Sequence, residues 1–258
     1  MCLILLAMDS HPRYKLVVAA NRDEFYQRPA APAGFWKGQP DVLAGKDIKE
    51  GGTWMGVTRQ GRFAALTNYR DPQNVKPQAP SRGHLVRDYL INDLSPAAYL
   101  DNLPEGGEQY NGFNLLAGTI DELYYYSNRV KKIRKIDKGL HAVSNSLLDV
   151  PWPKVTKGVH ELAGILNQED INVEDLFVLM KNRDIPADQD LPDTGVGLEM
   201  ERWLAPVFIV SADYGTRSTS ILLADRSNKV RFWERSYDPQ DSSISSEVFY
   251  EFQSRLFP

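Results

Sequence analysis

A single cysteine, Cys2, stands near the head of a chain of 258 residues. One cysteine forms no internal disulfide, and four histidines without a CxxC or HExxH spacing form no familiar zinc site, so no metal is expected. The thiolate is the attacking species in cysteine chemistry, and a free thiol, with a pKa of about 8.5, needs a nearby cation or base to ionise at neutral pH. Initiator methionine is generally removed ahead of a small residue, and Cys2 would then carry both a thiol and an α-amino group. That amine, unperturbed at about 7.7–8.0, can accept the thiol proton without a histidine. The second concentration of polar groups is Asn21-Arg22-Asp23-Glu24. Arg22 can supply the cation and Asp23 can orient the ammonium. A tetrahedral oxyanion then needs donors, and the side-chain amides of Asn68 and Asn145 are the candidates. Each has a plainer reading: a buried apolar cysteine, a solvated turn with a surface ion pair, and asparagines that merely form turns.

The elements that must hold these residues are legible as short strands. Cys2 to Met8 is an apolar run, Ser10-His11-Pro12 is a turn signal, and Tyr14 to Ala20 is a second strand, so a hairpin brings Cys2 close to the end of strand two. Arg28 to Gly52, rich in Pro, Ala and Gly, reads as an ordered surface loop crossing the sheet edge. Thr53 to Thr58 and Arg62 to Asn68 flank Arg59-Gln60-Gly61 as a second hairpin that ends on Asn68. Gly83 to Leu94 and Ser95 to Leu103 carry helical spacing, with Ser95 as N-cap before Pro96. Short strands follow between Phe113 and Val143, then helices over Pro151 to Leu166 and Val173 to Lys181. Asp184 to Gly197 is the least structured-looking stretch, and Val207 to Ser211, Thr219 to Ala224, Val230 to Glu234 and Val248 to Phe252 supply the last strands. Strands at both ends with two helical blocks between them argue for an α+β class rather than regular βαβ alternation.

Composition excludes several partners. Hydrophobic content of 42% and charged content of 25% are ordinary globular values. The longest apolar runs fall far short of the roughly 18 residues that span a bilayer, so no integral membrane segment is expected. A formal charge of −4 gives no general attraction to nucleic acid. The N-terminus has no basic segment before its apolar run and no small-residue cleavage site, which points to a cytoplasmic protein. His11, His84, His141 and His160 are scattered, and Lys131-Lys132-Ile133-Arg134-Lys135 reads as a solvated strand face.

Longer motifs add a resemblance. Met1-Cys2, Asn21-Arg22-Asp23-Glu24-Phe25-Tyr26 with Arg28-Pro29, Gly51-Gly52-Thr53-Trp54-Met55-Gly56, Ala65-Leu66-Thr67-Asn68-Tyr69, Ser81-Arg82-Gly83, Tyr110-Asn111-Gly112-Phe113-Asn114-Leu115, Ser144-Asn145 with Pro151-Trp152-Pro153-Lys154, and Tyr214-Gly215-Thr216-Arg217 with Glu234-Arg235-Ser236 occur in order from residue 1 to about residue 237. They resemble the NRDE family, also called transport and Golgi organisation protein 2. The chain more distantly resembles N-terminal-nucleophile (Ntn) hydrolases of the choloylglycine hydrolase type, and Cys2, Arg22, Asp23, Asn68 and Asn145 fall on their site positions. Those hydrolases usually separate the Arg and the Asp by two residues, whereas Arg22 and Asp23 are adjacent here and, in a regular strand, point to opposite faces. Their further arginine has Arg217 as a ligand-binding candidate.

The resemblance implies a single domain over residues 1–258 with a four-layer αββα sandwich. It implies two roles. In one, Cys2 hydrolyses a non-peptide amide of a small-molecule or lipid-like ligand, which requires no cofactor. In the other, the same cleft is a binding site for haem, as a transported ligand, or for a long acyl group.

Overall fold

A computed structural model of the chain describes residues 2–103 and 107–255. Met1, on whose removal the α-amine chemistry depends, lies outside the described residues.

Strand β1 (Cys2–Met8) pairs antiparallel with β2 (Tyr14–Phe25), with Cys2 opposite Arg22 and Met8 opposite Leu16. Alternation along β1 divides its side chains between two cores. Cys2, Ile4, Leu6 and Met8 enter one, and Leu3, Leu5 and Ala7 enter the other. A strand buried on both faces needs apolar residues at every position, which is why the segment reads as an unbroken apolar run.

Around this pair one six-stranded sheet runs in the order β10-β1-β2-β11-β12-β13, where β10 is Gly139–Val143, β11 Tyr214–Asp225, β12 Lys229–Tyr237 and β13 Ile244–Gln253. A seven-stranded sheet runs in chain order from β3 (Ala30–Trp36) and β4 (Gln39–Asp47) through β5 (Met55–Thr58), β6 (Arg62–Asn68), β7 (Phe113–Thr119) and β8 (Leu123–Ser127) to β9 (Lys132–Lys135). The recorded strand pairs within both sheets are antiparallel.

Three apolar cores give the layers. Ile4, Leu6, Val18, Leu43, Phe63 and Leu116 meet between the two sheets. On the outer face of the first sheet, Leu3, Leu5 and Val17 pack under Val155 and Leu162 of α3 (Pro153–Ile165) and Leu176 of α4 (Val173–Met180). On the outer face of the second, Ala64, Leu66 and Leu115 pack under Leu85, Val86 and Tyr89 of α1 (Gly83–Ile91) and Leu100 of α2 (Pro96–Asp101). Each fully buried Leu or Val contributes about 1.5–3 kcal/mol relative to exposure. The result is the αββα sandwich that the resemblance implied. Ser95 caps α2 as expected, its side chain accepting from the Ala98 N–H at 3.2 Å. Among the described residues no helix is long and apolar enough to cross a membrane.

Two readings change, and one element is added. Arg28 to Gly52 is not a loop: it holds β3 and β4, and the irregular composition marks an edge strand, where Pro32 sits at a register shift between Ala31 and Gly34 and forfeits no central ladder bond. Val207 to Ser211 is not a strand; its recorded sheet contact is one isolated bridge, from Val210 to Gly215. A further short helix, α5 (Leu198–Leu204), follows the stretch from residue 184 to 197, which has only a 3-10 turn at Asp188–Asp190.

The second hairpin turns at Gly61, whose φ of 77° favours glycine. A different constraint acts at Gly52, where an added Cβ would lie 2.6 Å from the Gly83 carbonyl carbon and 2.7 Å from its oxygen. The same approach lets the Thr53 N–H donate to the Gly83 carbonyl at 3.1 Å, fixing the start of α1 against the second sheet. Gly52→Ala is therefore expected to destabilise the fold by roughly 1–3 kcal/mol, as overpacking does. Urea unfolding with an unchanged midpoint would refute that backbone contact.

Candidate active site

The even-numbered face of β1 points between the sheets, so the Cys2 side chain, 7% exposed, lies at the end of the central core. There the layers part around a cavity of about 600 Å³, whose wall includes Cys2, Arg22, Asp23, Asn68, Arg82 and Arg217. The Cys2–Arg22 register puts the two side chains on the same face of the sheet, and both line the cavity. Arg22 is nearly buried, with its Nη2 3.8 Å from Glu24 Oε2. Glu24 in turn lies 3.9 Å from Arg28 Nε, and Arg28 is paired with Asp47 at 2.9 Å through Nε.

Adjacency of Arg22 and Asp23 is resolved by division of labour across the strand. The Asp23 side chain is engaged by the Thr216 hydroxyl, which donates to Oδ1 at 2.6 Å. Its backbone amide is one of the groups that pull the Cys2 thiol down. Arg22 aligns with Ser218 and Asp23 with Thr216, so Arg217 is the extra residue of a bulge in β11. From the bulge, Arg217 Nη1 donates to the carbonyls of Phe25, Tyr26 and Arg28 at 3.0, 3.0 and 3.1 Å. Asn21 is a clamp: its amide donates to the carbonyls of Met180 and Val207, both at 2.8 Å, holding β2 to the layer above.

Asn68 reaches the cavity wall; Asn145 does not line it. Asn145 is buried, and its Nδ2 donates to the Asn68 carbonyl at 2.8 Å while its own carbonyl accepts from the Arg70 N–H at 2.8 Å. Ser144 beside it donates to the Cys2 carbonyl at 3.2 Å and accepts through its own carbonyl from the Thr67 hydroxyl at 2.5 Å. The Ser144-Asn145 pair thus fastens the end of β1 to the end of β6, which belong to different sheets.

Burial pushes the Cys2 thiol above its ordinary range, and the Asp23 charge pushes the same way; Arg22 and the Asp23 N–H pull it down without prevailing. Adjacency of Arg22 therefore does not by itself ionise the thiol, because desolvation outweighs it. Burial also raises Asp23, opposed by the charge of Lys154, the Thr216 hydroxyl and Arg22. Lys154 itself is brought down by burial to about 8, with Asp23 resisting; its Nζ donates to the Leu204 carbonyl at 2.7 Å. Behind it Arg70 and Glu201 form a buried ion pair.

Lys154, Arg82 and Thr216 all lie within the sequence motifs, none with a role of its own there. For Lys154 a signal existed: a cation in the first turn of a helix opposes the helix dipole, so a lysine just after Trp152-Pro153 calls for an anionic partner elsewhere. Thr216 had no comparable signal, since its value comes from the bulge beside it.

Residues 1–239 match the sequence family described as Transport and Golgi organisation 2. The Transport and Golgi organization 2 homolog of Mus musculus is 34% identical over 277 residues, covering 98% of this chain and 99% of the mouse protein. The chain belongs to this family. Its fold is similar to that of a mutant of the conjugated bile acid hydrolase from Clostridium perfringens, with a TM-score of 0.50 and 9% identity over 100% of this chain and 99% of the hydrolase. It is likewise similar to the N-acylethanolamine-hydrolyzing acid amidase ortholog of Caenorhabditis elegans, with a TM-score of 0.50 and 8% identity over 86% of this chain and 92% of the amidase. The fold is thus of the Ntn-hydrolase type.

The opposing charges on either side of Cys2 make a signed prediction for alkylation by iodoacetamide. The pH midpoint should lie above that of a cysteine peptide. Arg22→Gln removes a downward influence and should slow labelling at pH 8 by roughly two- to tenfold, whereas Asp23→Asn removes an upward one and should speed it, each tenfold corresponding to about 1.4 kcal/mol. Shifts of the same sign in both variants would mean that the charges act through the fold and not on the sulfur.

Proposed function

We propose that Cys2 is the nucleophile of a cytoplasmic amidohydrolase that cleaves a non-peptide amide in a small or lipid-like molecule. The observation that carries this reading is the pairing of Cys2 with Arg22 in the wall of the cavity, with Asn68 in the same wall. A thiol that burial holds neutral needs a base at the moment of attack, not a resting ion pair. The Cys2 α-amine, exposed by removal of Met1, is that base. It takes the thiol proton as the sulfur bonds to the carbonyl carbon. The Asn68 side-chain amide donates to the oxyanion, while Asn145 holds the Asn68 backbone in place. Collapse of the tetrahedral intermediate breaks the C–N bond, the ammonium returns its proton to the departing amine, and water then hydrolyses the thioester. Arg22 and Asp23 orient substrate and amine. The hydrolase names carried by the two structural neighbours agree with this chemistry.

In the competing role the cleft carries haem or a long acyl chain, and Cys2 is a soft contact. The cavity wall suits it less well: arginines, carboxylates and serines dominate, and the histidine present, His84, has its Nε2 2.7 Å from the Glu50 carbonyl.

The deciding measurement is intact mass, first of protein from its own host and then after exposure to a panel of N-acyl amides. Loss of Met1 and an acyl adduct on Cys2 are expected. Asn68→Ala should lower kcat by about 10²–10³, the cost of one oxyanion donor. Retained Met1 together with no adduct from any amide would leave the carrier role standing.

A further inference from the structure

The cavity holds a guanidinium that the chemistry above does not use. Arg82 immediately precedes α1 and lines the same wall as Cys2. Its recorded hydrogen bond is from Nη1 to the Gly112 carbonyl at 3.0 Å. Among the described residues no carboxylate lies within ion-pair distance of it. Four acidic groups of the wall are engaged elsewhere: Asp23 with the Thr216 hydroxyl at 2.6 Å, Glu24 with Arg22 and Arg28, Asp47 with Arg28, and Glu234 with the Ala33 N–H at 2.7 Å and the Ser220 hydroxyl at 3.0 Å; a further one, Glu50, makes no ion pair with Arg82. Across the site, Arg217 keeps its Nη1 on three carbonyls while its Nε is buried with no hydrogen-bond partner.

Burial depresses both Arg82 and Arg217 from the ordinary arginine range, and Cys2, Glu24 and Tyr214 oppose this for Arg82. Desolvating a guanidinium without a counter-ion is strongly unfavourable. A planar oxyanion that accepts two N–H bonds relieves that penalty better than a neutral ligand does.

We propose that Arg82, helped by Arg217, is an anion-binding residue that selects substrates bearing a carboxylate near the scissile amide. This rests on the reading of Cys2 as a nucleophile, and it narrows the substrate from any small or lipid-like amide to an anionic one. Neutral amides of the same size leave Arg82 unpaired and lose the interaction.

Two alkylating reagents of nearly equal size read this directly, because iodoacetate carries a carboxylate and iodoacetamide does not. The ratio of their rates at Cys2 cancels the thiol's own ionisation. That ratio should exceed the ratio for a free cysteine peptide at least tenfold in 50 mM salt and fall toward it in 1 M salt, where screening acts over about 3 Å. Arg82→Gln should remove most of the excess, and Arg82→Lys should keep part of it. A ratio equal to the peptide's, or one unchanged by both Arg82→Gln and salt, overturns the proposal.

Should Cys2 resist both reagents, the nucleophile reading fails by itself, and calorimetric titration with hexanoate and hexanamide decides the anion site separately. Hexanoate binding that is tighter than hexanamide binding and at least tenfold weaker in Arg82→Gln supports it. Equal binding of the two probes, no binding of hexanoate, or no effect of Arg82→Gln overturns it.

Discussion

Everything at this site depends on the antiparallel register of β1 on β2. With Cys2 opposite Arg22, the period-two alternation of a strand sends the thiol and the guanidinium into the gap between the sheets, while Asn21 holds the neighbouring layer and Asp23 reaches the Thr216 hydroxyl. One strand end thereby carries a chemical face and a fastening face. Slipping the register by a single residue would exchange them, which is a stronger constraint than the identity of any one side chain. The heavy burial of β1 specifies that register, since each slipped position would turn a core side chain toward the wrong layer.

The second sheet is brought to the thiol by a short connection. Ser144 accepts from Thr67 and donates to the Cys2 carbonyl, and Asn145 donates to the carbonyl of Asn68. These bonds run between groups that sheet ladders leave unsatisfied at strand ends, so they satisfy buried polar atoms and align the two halves of the cavity at once. The cost is electrostatic. A site assembled this deep in the interior raises Cys2 and Asp23 and lowers Lys154, all by desolvation.

Much of this arrangement was legible in the chain. Alternation and turn residues placed both hairpins, and with them the nearness of Cys2 to Arg22 and the position of Asn68 at a strand end. The αββα layering came from family resemblance and not from periodicity, because buried strands of both sheets look alike in sequence. The edge hairpin of β3 and β4 was hidden by proline and glycine, which an edge tolerates and a central strand does not. Asn145 was placed in the right neighbourhood but not behind the wall, since the depth of a side chain depends on what packs over it. The thiol's direction of shift is hidden for the same reason: charged neighbours follow from adjacency, but burial belongs to the whole fold. Arg82 lies within the Ser81-Arg82-Gly83 motif, and that no carboxylate among the described residues comes within ion-pair distance of it is a property of three dimensions.

The irregular stretch before α5 is less independent of this site than its shape suggests. Thr194 donates to Glu201 through its N–H at 2.9 Å and through its hydroxyl at 2.5 Å, Glu201 pairs with Arg70, and the Arg70 N–H holds the Asn145 carbonyl. Local unfolding of that stretch would loosen the carboxylate that neutralises Arg70, and through it the asparagine behind the cavity wall. By linkage, any ligand that tightens the wall must raise the free energy of opening the stretch by the same amount that opening weakens the ligand. A surface segment with little regular structure is thus a thermodynamic partner of the cavity.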